Sequence, residues 1–188
     1  MDAAALRALQ APLKERYRDE PDSAVVTLSS DADLSGLGVS CKVRTGQALV
    51  EAGLHPAAGG DGTLACSGDM LLDALAACAG VTLRAVATSL GLAIRGGTVH
   101  AEGDLDFRGT LGVDTRAPVG FRGIRLSFDL DTDADAEQLD TLRRLTERYC
   151  VVYQTLRAAT DVSTTLNGHG TAAGSIQRIS QTCPSRSA

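Results

Sequence analysis

Two of the five cysteines stand in settings where chemistry could be done. Cys78 ends the run Met70-Leu-Leu-Asp-Ala-Leu-Ala-Ala-Cys78 and leads into Ala-Gly-Val-Thr-Leu-Arg84; Cys150 closes Thr146-Glu-Arg-Tyr-Cys150 ahead of Val-Val-Tyr-Gln-Thr-Leu156. Neither belongs to a C-x-x-C pair, so zinc-binding and thioredoxin-type arrangements are not indicated. A thiol in an apolar helix and a second at a charged helix end form a pair that meets only after folding. The chemistry open to such a pair is attack by one thiolate and capture of the oxidised product by the other thiol.

A nucleophilic thiol must ionise, and an unperturbed cysteine has a pKa of about 8.5. Cys78 lies eleven residues after Ser67, roughly 15 Å into its helix. The dipole of that helix acts within its first turn and does not reach the sulfur. Burial alone would raise the pKa and leave the thiol inert. A working site therefore calls for an imported cation, and Arg44 on the N-terminal strands and Arg108 in a later crossover are the candidates. Arg84, six residues after Cys78, lies about 240° around the helix and points elsewhere. Without Cys150, a core-packing role for Cys78 would be the better reading; the second cysteine segment reverses that.

The remaining titratable groups suggest less. Cys66 precedes Cys78 by twelve residues, about 18 Å along a helix, too far for a disulfide; it is incidental or a secondary reactive thiol. Cys41 on a strand is expected to pack, and Cys183 near the C-terminus to be exposed. His55 lies in a Gly-rich loop within possible reach of the site, although a lone loop histidine is more often simply solvated. His100 and His169 lack partners at ligand spacing, so neither a metal nor another cofactor is expected. The acidic run Asp129 to Glu137 lacks the EF-hand glycine and terminal glutamate and reads instead as the acidic cap of a helix.

Periodicity supplies the elements that must position the two thiols. Leu6, Leu9, Leu13 and Tyr17 mark an amphipathic helix over residues 3–18, interrupted at Pro12 and ended by Pro21. Strands are expected at Ala24 to Leu28, Val39 to Val43 and Gln47 to Ala52, then a Gly- and Pro-rich loop from Gly53 to Gly62. A long apolar helix follows from about Ser67, its expected N-cap, to Leu90, with Asp69 in the first turn and Gly91 as the stop. Strands near Arg95 to Phe107 and Gly120 to Asp131 flank a turn-rich crossover. A helix from Asp135 to Tyr149, a shorter one from Cys150 to Leu156 and a strand from Val162 to Leu166 complete an α+β pattern. The Gly/Ser/Thr-rich stretch from Asn167 onward shows no period and is expected to be mobile.

Composition narrows the partners. The 188 residues suit one domain or two small lobes, with 44% hydrophobic and 22% charged residues. A net charge of −5, a pI near 5.1 and 3% aromatics argue against nucleic acid, which requires a basic surface and stacking platforms. No apolar run approaches the roughly 20 residues of a membrane span, and no secretory signal is visible at the N-terminus. Five cysteines without framework spacing favour a reducing, cytoplasmic setting.

At the motif level, Ser67-Gly-Asp-Met-Leu-Leu-Asp-Ala-Leu-Ala-Ala-Cys78 resembles the central-helix motif of the OsmC/Ohr family, the osmotically inducible protein C and organic hydroperoxide resistance proteins. Glu147-Arg-Tyr-Cys150-Val-Val-Tyr-Gln-Thr-Leu156 resembles the family's second cysteine segment. Arg108-Gly-Thr-Leu-Gly-Val-Asp114, Pro118-Val-Gly-Phe121 and Gly59-Gly60 also fit, and the likeness spans roughly residues 24–166. It implies an OsmC-like fold, with a long buried central helix packed on antiparallel sheets in an intertwined homodimer. The domain would cover residues 23–166, preceded by a helical extension over 1–22 and followed by a flexible tail over 167–188.

The resemblance further implies an antioxidant stress-response peroxidase with sites at the subunit interface. Cys78 would reduce organic or lipid hydroperoxides through a sulfenic acid, Cys150 would resolve it as a disulfide, and a dithiol or lipoyl-type donor would reopen the bond. An arginine from the N-terminal strands would complete the site. The hydroperoxide-active branches carry a glutamate ten residues before the peroxidatic cysteine; here that position is Gly68, and Asp69 beside it fills a slot that is acidic in other OsmC-like members. The alternative is a non-peroxidatic OsmC-like thiol protein, a dimer that binds a small apolar or electrophilic ligand.

Overall fold

Ala3–Asp19 forms helix α1 and runs unbroken through Pro12, where the sequence suggests an interruption. Proline at that position forfeits one backbone hydrogen bond, but the turns on either side carry the helix across. The computed structural model describes residues 2–19, 32–33, 40–45, 48–158, 160–168 and 177–182. The expected strand at Ala24 to Leu28 and the helix stop at Pro21 lie outside the described residues.

The first sheet has the order β1 (Ala32–Asp33), β2 (Ser40–Thr45), β3 (Ala48–Gly53), β4 (Ala65–Cys66). Strands β2 and β3 pair antiparallel from Ser40↔Gly53 to Thr45↔Ala48, close to the expected hairpin, while β4 joins parallel to β3. The intervening loop contains a short 3₁₀ turn, Pro56–Ala58, capped by His55. Gly60 is fixed there by space, since a Cβ at this position would lie 1.8 Å from the Leu54 carbonyl oxygen.

Strand β4 runs directly into α2, Ser67–Leu90, so Cys66 rather than Ser67 occupies the N-cap; it makes no side-chain capping bond. Gly91 ends α2 in the left-handed region at φ 71°, its N–H bonded to the last turn. By length and apolar composition alone, α2 would suffice for a membrane span, a correction to the expectation that no run comes close. Instead it is the central helix, packed against β5 (Ile94–Asp104), α4 (Ala136–Tyr149) and α5 (Val151–Arg157). Leu75, Ala79, Leu83 and Ala87 form its buried stripe, one residue per turn.

Strand β5 pairs antiparallel with β6 (Gly123–Thr132), and a single helical turn, α3 (Phe107–Thr110), lies in the crossover between them. On β6 the alternation is regular: Ile124, Leu126, Phe128 and Leu130 face inward, while Arg125, Asp129 and Asp131 face water. Across the outer face, Arg95 pairs with Asp131 and Asp133, and Arg125 with Glu102 and Asp104. Exposed pairs of this kind contribute little stability.

The acidic run does cap a helix. The Asp135 carboxylate accepts from the Gln138 N–H at 2.9 Å, and Gln138 Oε1 accepts from the Asp135 N–H at 3.0 Å, a reciprocal capping box at the start of α4. Beyond α5, β7 (Ser163–Gly168) pairs antiparallel with β8 (Gln177–Thr182). That pairing revises the reading of the stretch after Asn167 as tail. Gln-Arg-Ile-Ser-Gln-Thr has a single strongly apolar residue, too little for periodicity to reveal a strand.

Together these elements make an α+β architecture with the long helix packed on antiparallel strands. Leu142, 1% exposed, joins Leu83 and Ala87 at the centre of the core. Leu142→Ala should cost about 2–5 kcal/mol and Asp135→Ala about 1 kcal/mol, both measured by urea unfolding.

Candidate active site

The site follows from how α4 meets α2. Leu142, Thr146 and Cys150 recur every four residues and are each 1% exposed, so one face of α4 lies wholly against the core. At Cys150 the chain leaves helical geometry (φ −74°, ψ 111°), and this residue both ends α4 and caps the start of α5. The turn brings the Cys150 thiol within hydrogen-bonding reach of the Cys78 thiol on α2. Both are free thiols; Cys78 is partly exposed and Cys150 is buried.

Their surroundings divide them. Burial works against a thiolate at Cys78, but the Val152 and Val151 N–H groups, the Cys150 thiol and the Thr82 hydroxyl all favour it, and the balance holds the Cys78 pKa below its ordinary value. Burial and the neighbouring Cys78 push the Cys150 thiol up, against weaker help from the Tyr153 and Val152 amides. Cys150 makes no side-chain capping bond at the start of α5. The partly exposed member is thus the easier to ionise, and the buried member stays protonated as its hydrogen-bond donor.

The expected arginine is not among the described groups acting on Cys78 within the single chain. Among the described residues, none of the groups acting most strongly on Cys78 is charged. The Arg108 guanidinium is held by Asp106, at 3.0 Å from Nε and 2.6 Å from Nη2, and the pair keeps the Asp106 carboxyl at about 2. Arg44 lies on β2 opposite Leu49, its side chain outside the described residues. Asp69 is exposed in the first turn of α2, about 13 Å along the axis from Cys78. Its charge favours the helix start rather than the thiol.

Thr82, Val151 and Val152 escaped the sequence reading. Thr82 was within reach of it, lying four residues after Cys78 and therefore on the same helix face. The amides were not, because their role depends on the start of one helix landing on the side of another.

Other singled-out residues lie elsewhere. His55 Nδ1 accepts from the Ala57 N–H at 3.0 Å, and its ring stacks on Phe107 at 4.9 Å. At Gly68 a Cβ would meet Cys66 Sγ and Phe121 at 3.5 Å and Leu105 at 3.6 Å, ordinary contacts, so space does not enforce glycine there. Cys41 pairs opposite Ala52 in the first sheet, and Cys183 and His169 lie outside the described residues. Between β6 and helices α2, α4 and α5 is a cavity of about 820 Å³ walled by Leu75, Leu83, Phe121, Phe128, Tyr153 and Leu156, with Arg143, Glu147 and Arg157 also on its lining and neither cysteine of the pair among its wall residues. Leu75 and Tyr153 each lie three residues from a cysteine of the pair.

The profile of the OsmC-like protein family matches residues 60–165, more than half of the chain, including both cysteine segments. The chain belongs to the OsmC-like protein family. Among solved structures it is similar to an OsmC-like protein from Mycoplasma pneumoniae, at 18% identity and a TM-score of 0.59, covering 70% of this chain and 88% of that one. It is also similar to an organic hydroperoxide resistance protein OsmC from Legionella pneumophila, at 18% identity and a TM-score of 0.56, covering 71% and 91%. An OsmC-like protein of unknown function from Vibrio cholerae aligns at 11% identity and a TM-score of 0.54, covering 70% and 94%. At these identities the likeness establishes the OsmC-like fold. No curated protein sequence matches the chain significantly.

The thiol environment of this OsmC-like protein has a pH signature. Because the folded Cys78 pKa is depressed, alkylation by iodoacetamide should persist below pH 8.5 and fall as pH drops through the folded value. Removing the donor with Cys150→Ala should move that profile to higher pH. Absorbance at 240 nm, which reports thiolate, provides an independent check.

Proposed function

We propose that this OsmC-like protein is a cysteine-based reductase of organic or lipid hydroperoxides. The carrying observation is that two thiols from distant segments meet with opposite shifts, the more accessible one favoured as thiolate. The Cys78 thiolate attacks the distal peroxide oxygen; the S–O bond forms, the O–O bond breaks, and the alkoxide takes a proton to leave as an alcohol. Cys150 then attacks the sulfenic sulfur, forming the disulfide and releasing water. A dithiol, lipoyl-type or otherwise, supplies the two electrons that restore both thiols. The cavity near this helix contact, with leucine and phenylalanine on much of its wall, would suit an organic substituent on the peroxide better than hydrogen peroxide itself.

The reading includes a twofold homodimer, acting in the cytoplasm with no nucleic-acid or membrane partner. Val81 on α2 is 73% exposed and Val151 at the start of α5 is 69% exposed in the single chain, apolar surface that a second copy would cover. In that assembly the partner chain would bring a cation, Arg44 before Arg108, toward Cys78, with Asp69 orienting it. Sedimentation should give a dimer at micromolar concentration; a stable monomer would remove this part of the proposal.

The chemistry is tested by mass spectrometry after one equivalent of cumene hydroperoxide. The expected product is protein two mass units lighter, with a peptide linked through Cys78 and Cys150, and Cys78→Ser should abolish it. Steady-state turnover with a dithiol should follow the same pattern. Persistent free thiols, or over-oxidation of Cys78 alone, would instead favour a small-ligand-binding dimer. The lack of a carboxylate at position 68 is the observation on that side.

A further inference from the structure

One buried group takes no part in the chemistry described so far. Thr146 Oγ1 makes no hydrogen bond, although the residue is 1% exposed and its neighbours are well packed. A helical threonine usually settles its hydroxyl on the carbonyl four residues earlier, here Leu142, and Thr146 does not. Burying an unpaired hydroxyl costs free energy. The burial is complete within one chain, so a second subunit cannot supply the missing partner.

The place of this hydroxyl is fixed by its stripe. Leu142, one turn before it, packs with Leu83 and Ala87 of α2. Cys150, one turn after it, brings its thiol to Cys78. Thr146 therefore faces the part of α2 between those contacts, around Ala79 to Thr82, about 6 Å along α4 from the thiol pair. In the reduced protein neither sulfur bonds to it.

We propose that the Thr146 hydroxyl is the hydrogen-bond partner of the oxygen that Cys78 takes from a hydroperoxide. The inference rests on the peroxidase reading and extends it to a residue outside the thiol pair. When the thiolate attacks, the sulfur is oxidised and gains an –OH while the O–O bond breaks and the alcohol departs. The new group both donates and accepts, as a threonine hydroxyl does. An interaction missing in the reduced protein and made as oxygen arrives favours the transition state over the ground state, the condition for acceleration.

The test compares full-length wild type with Thr146→Val, which keeps the shape and removes the hydroxyl, and Thr146→Ser, which keeps the hydroxyl. Cys78 oxidation by cumene hydroperoxide is followed by stopped flow above the Cys78 pKa, so that protonation does not differ, and sulfenic acid is trapped with dimedone. Thr146→Val should react about tenfold more slowly, the scale of one lost hydrogen bond, while its melting temperature stays equal or rises. Thr146→Ser should recover the rate. A purely structural role predicts the opposite pairing, with rate and stability falling together. Wild-type speed in Thr146→Val, or no recovery in Thr146→Ser, overturns this proposal alone. Wild-type Cys78 that does not react at all overturns the peroxidase reading and this proposal with it.

Discussion

The contact between the stripe Leu75, Ala79, Leu83, Ala87 on α2 and the stripe Leu142, Thr146, Cys150 on α4 is the constraint on which the rest depends. Both repeat every four residues, the spacing at which helical ridges seat in grooves. Ala79, with no exposed surface at all, is small enough to let the second helix approach closely. Cys78 is its immediate neighbour and stands at the edge of the contact. A bulkier residue at 79 would separate the helices and with them the thiols, so the small residues before Cys78 act at a distance on its chemistry.

Much of this could be read from the sequence because it is local. The bounds of α2 and its glycine stop, the acidic start of α4 and the strand over β6 all follow from spacing within one element. Membership in the OsmC-like family was legible for the same reason, each cysteine segment being contiguous. What escaped was non-local or a matter of backbone. Pro12 inside α1 reflects turns that outlast one lost hydrogen bond, and β8 lacks the apolar alternation that announces a strand. The donors around Cys78 are main-chain groups, and sequence carries no sign of them.

Main-chain amides and a hydroxyl acting on a thiol have a chemical consequence. A fixed cation depresses a thiol pKa strongly, but nucleophilicity falls as pKa falls, and the best attacking thiol titrates near the working pH. Within one chain, neutral donors outweigh burial and lower the Cys78 pKa without a charged partner. They also need no counter-charge, and so spare the core the cost of an ion pair. On the proposed mechanism Cys150 would contribute twice over: protonated, it donates to the Cys78 thiolate, and it would then supply the second sulfur of the disulfide.

The same contact that joins the thiols also leaves the one buried hydroxyl among the described residues without a partner. An apolar residue at 146 would complete the helix packing more cheaply, since Leu142 on one side is already part of the core cluster. Folding therefore gives no reason for a hydroxyl at this point of the stripe. Its neighbour one turn on does, because Cys150 brings its thiol to Cys78, and in the proposed reaction oxidation changes what those sulfurs can bond. On the proposed mechanism, a group that is costly at rest and satisfied only as the reaction proceeds would direct binding energy to a single step.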